Sequence, residues 1–171
     1  IEAWKHVQEK YPLGDTKLVL IGSAFSNLEI PETRAIIQRI ETLGLSKSVV
    51  RPGFVRNEDM TAVYSQASCV VLPSWYEGFG FPVLEGMTSG VPVVATNRGS
   101  VPEIAGPARM IDPDNPMSIG NAIVEMVRLT DPQRLLLAKK GFAWVKKFSW
   151  QRVAKETVAV YEKVIHHHSN I

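Results

Sequence analysis

Short apolar runs alternate along the chain with segments whose apolar residues recur at three- and four-residue spacing. Residues 17–21 (KLVLI) are apolar on both faces and end at Gly22, as suits a buried parallel strand. Residues 32–43 follow as a helix, with Ile36, Ile37, Ile40 and Leu43 on one face and Gly44 as the stop. A second strand region covers residues 48–50 and Phe54-Val55, broken by Pro52-Gly53. Met60, Val63, Tyr64 and Ala67 return to helical spacing, with Asn57 as the expected N-cap. Residues 69–72 (CVVL) predict a third strand, and residues 91–95 (VPVVA) a fourth. Between them lies a glycine-rich turn over residues 75–80, then a helix with Pro82 at its first position that ends near Gly90. Ser100 and Glu103 match a capping box for a short helix that stops at Gly106, and residues 109–111 predict a short fifth strand. From Met117 onward the spacing is helical, with an interruption at Asp131-Pro132 and a last helix from Trp150. Residues 2–9 are helical as well, around Trp4, His6, Val7 and Gln8.

This alternation predicts an α/β fold, an open parallel sheet with helices on both faces. Ligands of such sheets sit beyond the carboxyl ends of the strands, in the loops that enter the helices. The loops after Ile21, Val55, Leu72 and Ala95 are therefore the ones to search.

Composition narrows the class. At 171 residues and 45% hydrophobic, the chain allows one domain with a real core, or that and a small second one, and is too apolar for disorder. The single cysteine, Cys69, excludes an internal disulfide framework and reads as a buried strand residue. A net charge of +2, from 19 basic and 17 acidic residues, is too balanced for a nucleic-acid footprint. No apolar run reaches the ~20 residues of a membrane span, and no signal-peptide pattern opens the chain, so a cytoplasmic location is expected. The pairs Lys139-Lys140 and Lys146-Lys147 read as solvated faces, with peripheral contact to an anionic membrane surface as the weaker alternative. The consecutive His166, His167 and His168 cannot all face one metal from a helix, and with Ser169 they read as a terminus or tag remnant. His6 reads as a lone surface residue, and Trp4, Trp144 and Trp150 as core.

The third of these loops holds the chemistry. Gly78 and Gly80 allow close approach of a ligand to the backbone. The helix that begins near Pro82 aims free amides and its positive dipole end at the same place, which suits a phosphate. Glu77 and Glu85 flank the loop, and two carboxylates do not belong against a phosphate. They fit instead if they face hydroxyls, because a carboxylate accepts two hydrogen bonds from a vicinal diol. A ligand with phosphate in its middle and hydroxyl-rich rings at both ends, such as a nucleotide sugar, satisfies all of these features. The residues leave a second reading open. Glu85 in a first helical turn gains roughly 0.3–1 kcal/mol from the dipole with no ligand present, and Glu77 reads equally as a solvated loop residue. Trp75 and Tyr76 border the ligand or pack under the loop.

The sequence around this loop resembles the E-x7-E motif of the retaining GT-B glycosyltransferases called group 1 or family 4. The resemblance rests on Glu77-Gly78-Phe79-Gly80-Phe81-Pro82-Val83-Leu84-Glu85, with Pro73-Ser74 before it and Gly90-Val91-Pro92-Val93-Val94-Ala95 after it. Gly99-Ser100-Val101-Pro102-Glu103-Ile104, Asp112-Pro113, Phe148-Ser149-Trp150 and the earlier Gly53-Phe54-Val55 extend it over nearly the whole chain. It implies a Rossmann-like doubly wound domain, the carboxyl-terminal half of a GT-B enzyme, spanning residues 1–171 as a single donor-binding unit whose closing helices cover about 117–168. It implies a nucleoside-diphosphate sugar donor, such as a UDP- or GDP-hexose, and neither a cofactor nor a required metal. Glu85 is implied to bind the donor ribose, and Glu77 to contact the donor sugar as the catalytic residue. Gly78, Phe79, Gly80, Phe81, Val83 and Leu84 are implied to line the sugar and diphosphate, and Gly22 to lie near the nucleotide. Phe54, Val55 and Arg56 are implied to border the base, although Arg56 reads equally as a solvated arginine. Arg98 reads as a surface ion pair before a phosphate contact.

Two parts of the family pattern are missing from residues 1–171. The acceptor-binding amino-terminal domain is one, and through it a glycan or lipid acceptor would be met. The central strand that opens the donor domain, with its basic loop, is the other, since nothing before Lys17 reads as a strand. The chain is therefore expected to belong to a longer one. A non-catalytic nucleotide-sugar module and a GT-B relative such as an epimerase are the alternatives.

Overall fold

The computed structural model describes residues 1–168, without the side chains of residues 26 and 166–168; the tag-remnant reading of His166, His167, His168 and Ser169 falls on those side chains and on Ser169, outside what is described. Elements follow in the order α1 (Glu2–Lys10), β1 (Leu18–Ile21), a 3₁₀ turn (Ser23–Ser26), α2 (Pro31–Thr42), β2 (Val49–Gly53), α3 (Asn57–Gln66), β3 (Val70–Leu72), α4 (Phe81–Thr88), β4 (Val93–Thr96), α5 (Val101–Ile104), β5 (Arg109–Ile111), α6 (Pro116–Val127), α7 (Asp131–Val145) and α8 (Trp150–His168). All strand pairs are parallel, and the fold is α/β as the alternation predicts.

The pleat of the strands sorts side chains into two cores. β4 lies between β3 and β5 and is buried along its whole length. Val94 faces one core with Ile111, Ile40, Trp4, Val7, Ile119 and Ile123, so α1, α2 and α6 cover that face. Val93 and Ala95 point the other way and join Leu72, Val83, Leu84, Met87, Val101 and Ile104, the core under α4 and α5. A fully buried valine contributes roughly 1.5–3 kcal/mol, so Val83, Val93 and Val94 hold the layers together. Trp4 is buried as expected, and its indole N–H donates to Ser48 Oγ at 3.1 Å. Helices α1 and α6 cross closely at Gly120, where a Cβ would lie 2.9 Å from the His6 ring and 3.0 Å from the Ala3 carbonyl.

The sheet departs from one continuous layer. β1 pairs with β2 and β3 pairs with β4 and β5, but no ladder joins the two groups. Leu18, Leu20 and Val49 still pack on the core that holds Val94 and Val71, so both groups share one layer. The opposite face of the β1–β2 pair is open, with Val19 and Val50 nearly half exposed.

Several local expectations are corrected. β2 runs through Pro52-Gly53 instead of breaking there, and Phe54-Val55 lies beyond its end. The proline is tolerated because β2 is an edge strand and its register shifts between the Val19 and Ile21 pairings. Asn57 is the first helical residue of α3, whose N-cap is Arg56 without a side-chain bond. The Ser100–Glu103 capping box does not form. A side-chain cap forms instead at α7, where the Thr130 N–H and hydroxyl both donate to Gln133 Oε1 at 2.9 Å. Arg134 closes the preceding helix by donating to the Met126 and Val127 carbonyls of α6 and to Ser68. His6 is not alone, since its Nε2 sits 3.2 Å from Asn121 Oδ1 and its ring meets Tyr11 edge-on. Trp150 is 74% exposed rather than core, because it opens α8 at the edge of the body.

Candidate functional site

The loop between β3 and α4 is shaped by Gly80. Its φ of +97° is left-handed, and a Cβ there would lie 3.2 Å from both Val101 Cγ2 and Ile104 Cδ1. Glycine alone satisfies both demands, so the chain turns sharply over α5 and enters α4. The Gly80 carbonyl accepts the Val83 N–H at 3.0 Å, and no side chain caps this helix. Pro82 has no N–H and the Val83 N–H is used, so of the first three residues of α4 only Phe81 keeps its amide for a ligand or water. Pro82 sits within the first two helical positions, where its missing N–H has no cost. Gly86 lets α4 lie tight on the sheet, since a Cβ there would be 2.9 Å from Val93 and 3.1 Å from Val70.

The turn after β4 braces this loop from beside. Ser100 does not cap α5; its hydroxyl donates to the Glu77 carbonyl at 2.8 Å. Gly99 lies against the same peptide, with its Cβ direction 3.5 Å from both Glu77 N and O. Ser100→Ala removes the donor from a half-buried carbonyl and is expected to cost about 1 kcal/mol. In the full-length protein this should lower the unfolding midpoint of this domain by about 2–4 °C in a thermal melt; an unmoved midpoint would show the brace to be idle.

The two flanking carboxylates differ. Glu85 is exposed on α4, and its Oε2 accepts the Tyr64 hydroxyl of α3 at 2.7 Å. Partial burial, then the bond to Glu85, raises the Tyr64 phenol above its ordinary range, so it stays a donor at neutral pH. In the sequence Tyr64 is only one member of an apolar stripe; an aromatic hydroxyl at a helical position carries no signal of a partner 21 residues away. Glu77 is half-buried, and no hydrogen bond or ion pair engages its carboxylate among the described residues.

The remaining expected residues are placed as follows. Val83 and Leu84 turn into the core, so only their main chain faces the loop, and the Val83 N–H is already used. Phe79 and Phe81 stack with centroids 4.7 Å apart; Phe148 meets Phe79 at 6.5 Å and Trp150 meets Phe81 at 6.3 Å. The start of α8 is thereby joined to the loop. Trp75 and Tyr76 face solvent. Gly22 follows β1 and donates its N–H to the Gly53 carbonyl at 3.0 Å, and Phe54 is exposed. Arg56 pairs with Glu58 and, at 2.9 Å, with Asp59 in the first turn of α3. No hydrogen bond or ion pair among the described residues links Gly22, Phe54, Val55 or Arg56 to residues 77–85. Arg98 is a surface ion-pair residue, 3.2 Å from Asp112 and 2.9 Å from Asp114. Burial pushes the Cys69 thiol up to about 12, so it is no nucleophile at neutral pH. Among the described residues no His, Cys, Asp and Glu side chains group to hold a metal, and no helix is long and apolar enough to cross a membrane.

The chain belongs to the glycosyl transferases group 1 family, which its residues 1–144 match. It is 39% identical over 133 residues to the MMP alpha-(1->4)-mannosyltransferase of Mycolicibacterium hassiacum, covering 74% of this chain and 32% of that one. The chain spans 29%, 32% and 37% of the length of three curated relatives. The solved carboxyl-terminal domain of a glycosyl transferase group 1 family protein (LpcC) of Francisella tularensis superposes with a TM-score of 0.69 at 28% identity, covering 85% of this chain and 75% of that one. HepE of Anabaena, solved with UDP and glucose, shares the fold with a TM-score of 0.72 at 19% identity, covering 99% of this chain and 44% of that one.

Proposed function

We propose that residues 1–171 form the donor-binding domain of a retaining glycosyltransferase that moves a hexose from a nucleoside diphosphate to a glycan or lipid acceptor. The observation that carries this reading is the loop 77–85. It sets the uncapped start of α4 beside one carboxylate with no partner and another held by a neutral donor. The diphosphate faces the loop amides and the helix dipole. Glu85 takes the ribose hydroxyls, and Glu77 faces the sugar. In the reaction the bond from the anomeric carbon to the diphosphate oxygen breaks, with its electron pair leaving on the diphosphate. The acceptor hydroxyl oxygen forms the new bond and passes its proton to the departing diphosphate oxygen. The amides stabilise the charge that grows on the leaving group, and the reading calls on neither a metal nor a cofactor. HepE was solved with UDP and glucose, and the Mycolicibacterium relative is named for mannosyl transfer, so UDP-glucose and GDP-mannose are the donors to assay first. No ladder joins the β1–β2 pair to the β3–β4–β5 group, which fits a central strand supplied from elsewhere in a longer chain, and the acceptor is then met by a further domain.

Glu85→Ala tests the reading. A carboxylate accepting two diol hydroxyls gains charge-assisted bonds, so its loss is expected to weaken nucleoside-diphosphate binding by about ten- to a hundredfold. Calorimetry on the full-length protein with UDP and GDP measures this, and an unchanged dissociation constant would refute the assignment.

A further inference from the structure

We propose that Tyr64 is a positioning residue for Glu85, holding its carboxylate in the orientation that meets the donor ribose; this rests on the donor reading above. The hydroxyl of Tyr64 reaches from α3 to α4 and donates to Oε2 at 2.7 Å. A carboxylate offers about four acceptor positions. Tyr64 occupies one on Oε2, which leaves Oε1 whole and a further position on Oε2 for the two donors of a vicinal diol. No lysine or arginine pairs with Glu85 among the described residues. The restraint is therefore applied by a neutral group, and the negative charge is kept for the ligand.

The geometry also explains why the restraint is needed. Glu85 is exposed, and a free glutamate loses rotamer freedom when a ligand fixes it. Tyr64 is a half-buried aromatic with two side-chain torsions, so it has less freedom to lose than a free glutamate and supplies the order before the ligand arrives. It also ties the helix after β2 to the helix after β3. The element that follows Phe54-Val55-Arg56 is thus connected to the loop that follows β3.

The alternative is that the bond only staples α3 to α4. Calorimetry on the full-length protein separates the two, using UDP and GDP against their 2′,3′-dideoxy counterparts, in wild type and Tyr64→Phe. A positioning role predicts that wild type prefers the ribose forms. Tyr64→Phe then loses about tenfold on the ribose forms and little on the dideoxy forms, so the preference collapses. A preference retained in Tyr64→Phe, or a parallel loss on both probe types, overturns the proposal while the donor reading stands. Equal affinity for both probe types in wild type, or binding of neither nucleotide, overturns the Glu85 assignment itself and Tyr64 with it.

Discussion

Glu77→Gln in the full-length protein is expected to lower kcat by about 100- to 1,000-fold while leaving the donor dissociation constant near its wild-type value. Glutamine keeps the size and hydrogen-bonding reach of the side chain and removes only its charge. When the bond to the diphosphate breaks, positive charge builds on the anomeric centre, and a carboxylate close by stabilises that charge mainly in the transition state. Glu77 suits the task because its backbone is pinned by Ser100 and Gly99 while its carboxylate has no partner among the described residues. An ion pair would have spent that charge. Steady-state kinetics with donor binding measured in parallel checks the split. A kcat within about threefold of wild type would remove Glu77 from the chemistry, since electrostatic groups aimed at the reacting centre cost far more than that.

Gly106→Ala is expected to destabilise the domain by about 3 kcal/mol, through left-handed strain and overpacking together. Its φ is +46°, and a Cβ would fall 2.5 Å from Cγ, Cδ1 and Nε1 of Trp144. The indole cannot swing away cheaply, because its N–H donates to the Ile104 carbonyl at 2.8 Å and Lys147 covers its face at 3.9 Å. The expected fall in the unfolding midpoint is about 6–12 °C for a chain of this size. Differential scanning calorimetry of the full-length protein reads it, and a fall under about 2 °C would mean that Trp144 repacks freely. The strain should also reach the site. Trp144 touches Phe148, and Phe148 touches Phe79 of the loop, so the variant should bind the donor more weakly as well.

Much of this was legible in the sequence. The strand and helix order follows from hydrophobic period, and the runs KLVLI, CVVL and VPVVA fall on β1, β3 and β4 to within two residues at each end. The loop 77–85 was recognisable because glycine, proline and carboxylate chemistry sit close together in the chain. Where the sequence misled, a nonlocal contact outweighed a local signal. Ser100 and Glu103 have capping-box spacing, but the hydroxyl had a better partner in the Glu77 carbonyl. Pro52-Gly53 reads as a break, yet an edge strand absorbs a proline at a register shift.

The sequence by itself determined the parallel α/β class, the family and the loop that carries the carboxylates, because each is written in residues near one another along the chain. Only the tertiary structure decided that Tyr64 holds Glu85, that Ser100 and Gly99 hold Glu77, and that Val83 and Leu84 belong to the core. Trp144 over Gly106 is of the same kind. These contacts join residues brought together by sheet and helix packing. Their energy depends on distance in space, which periodicity and spacing along the chain do not encode.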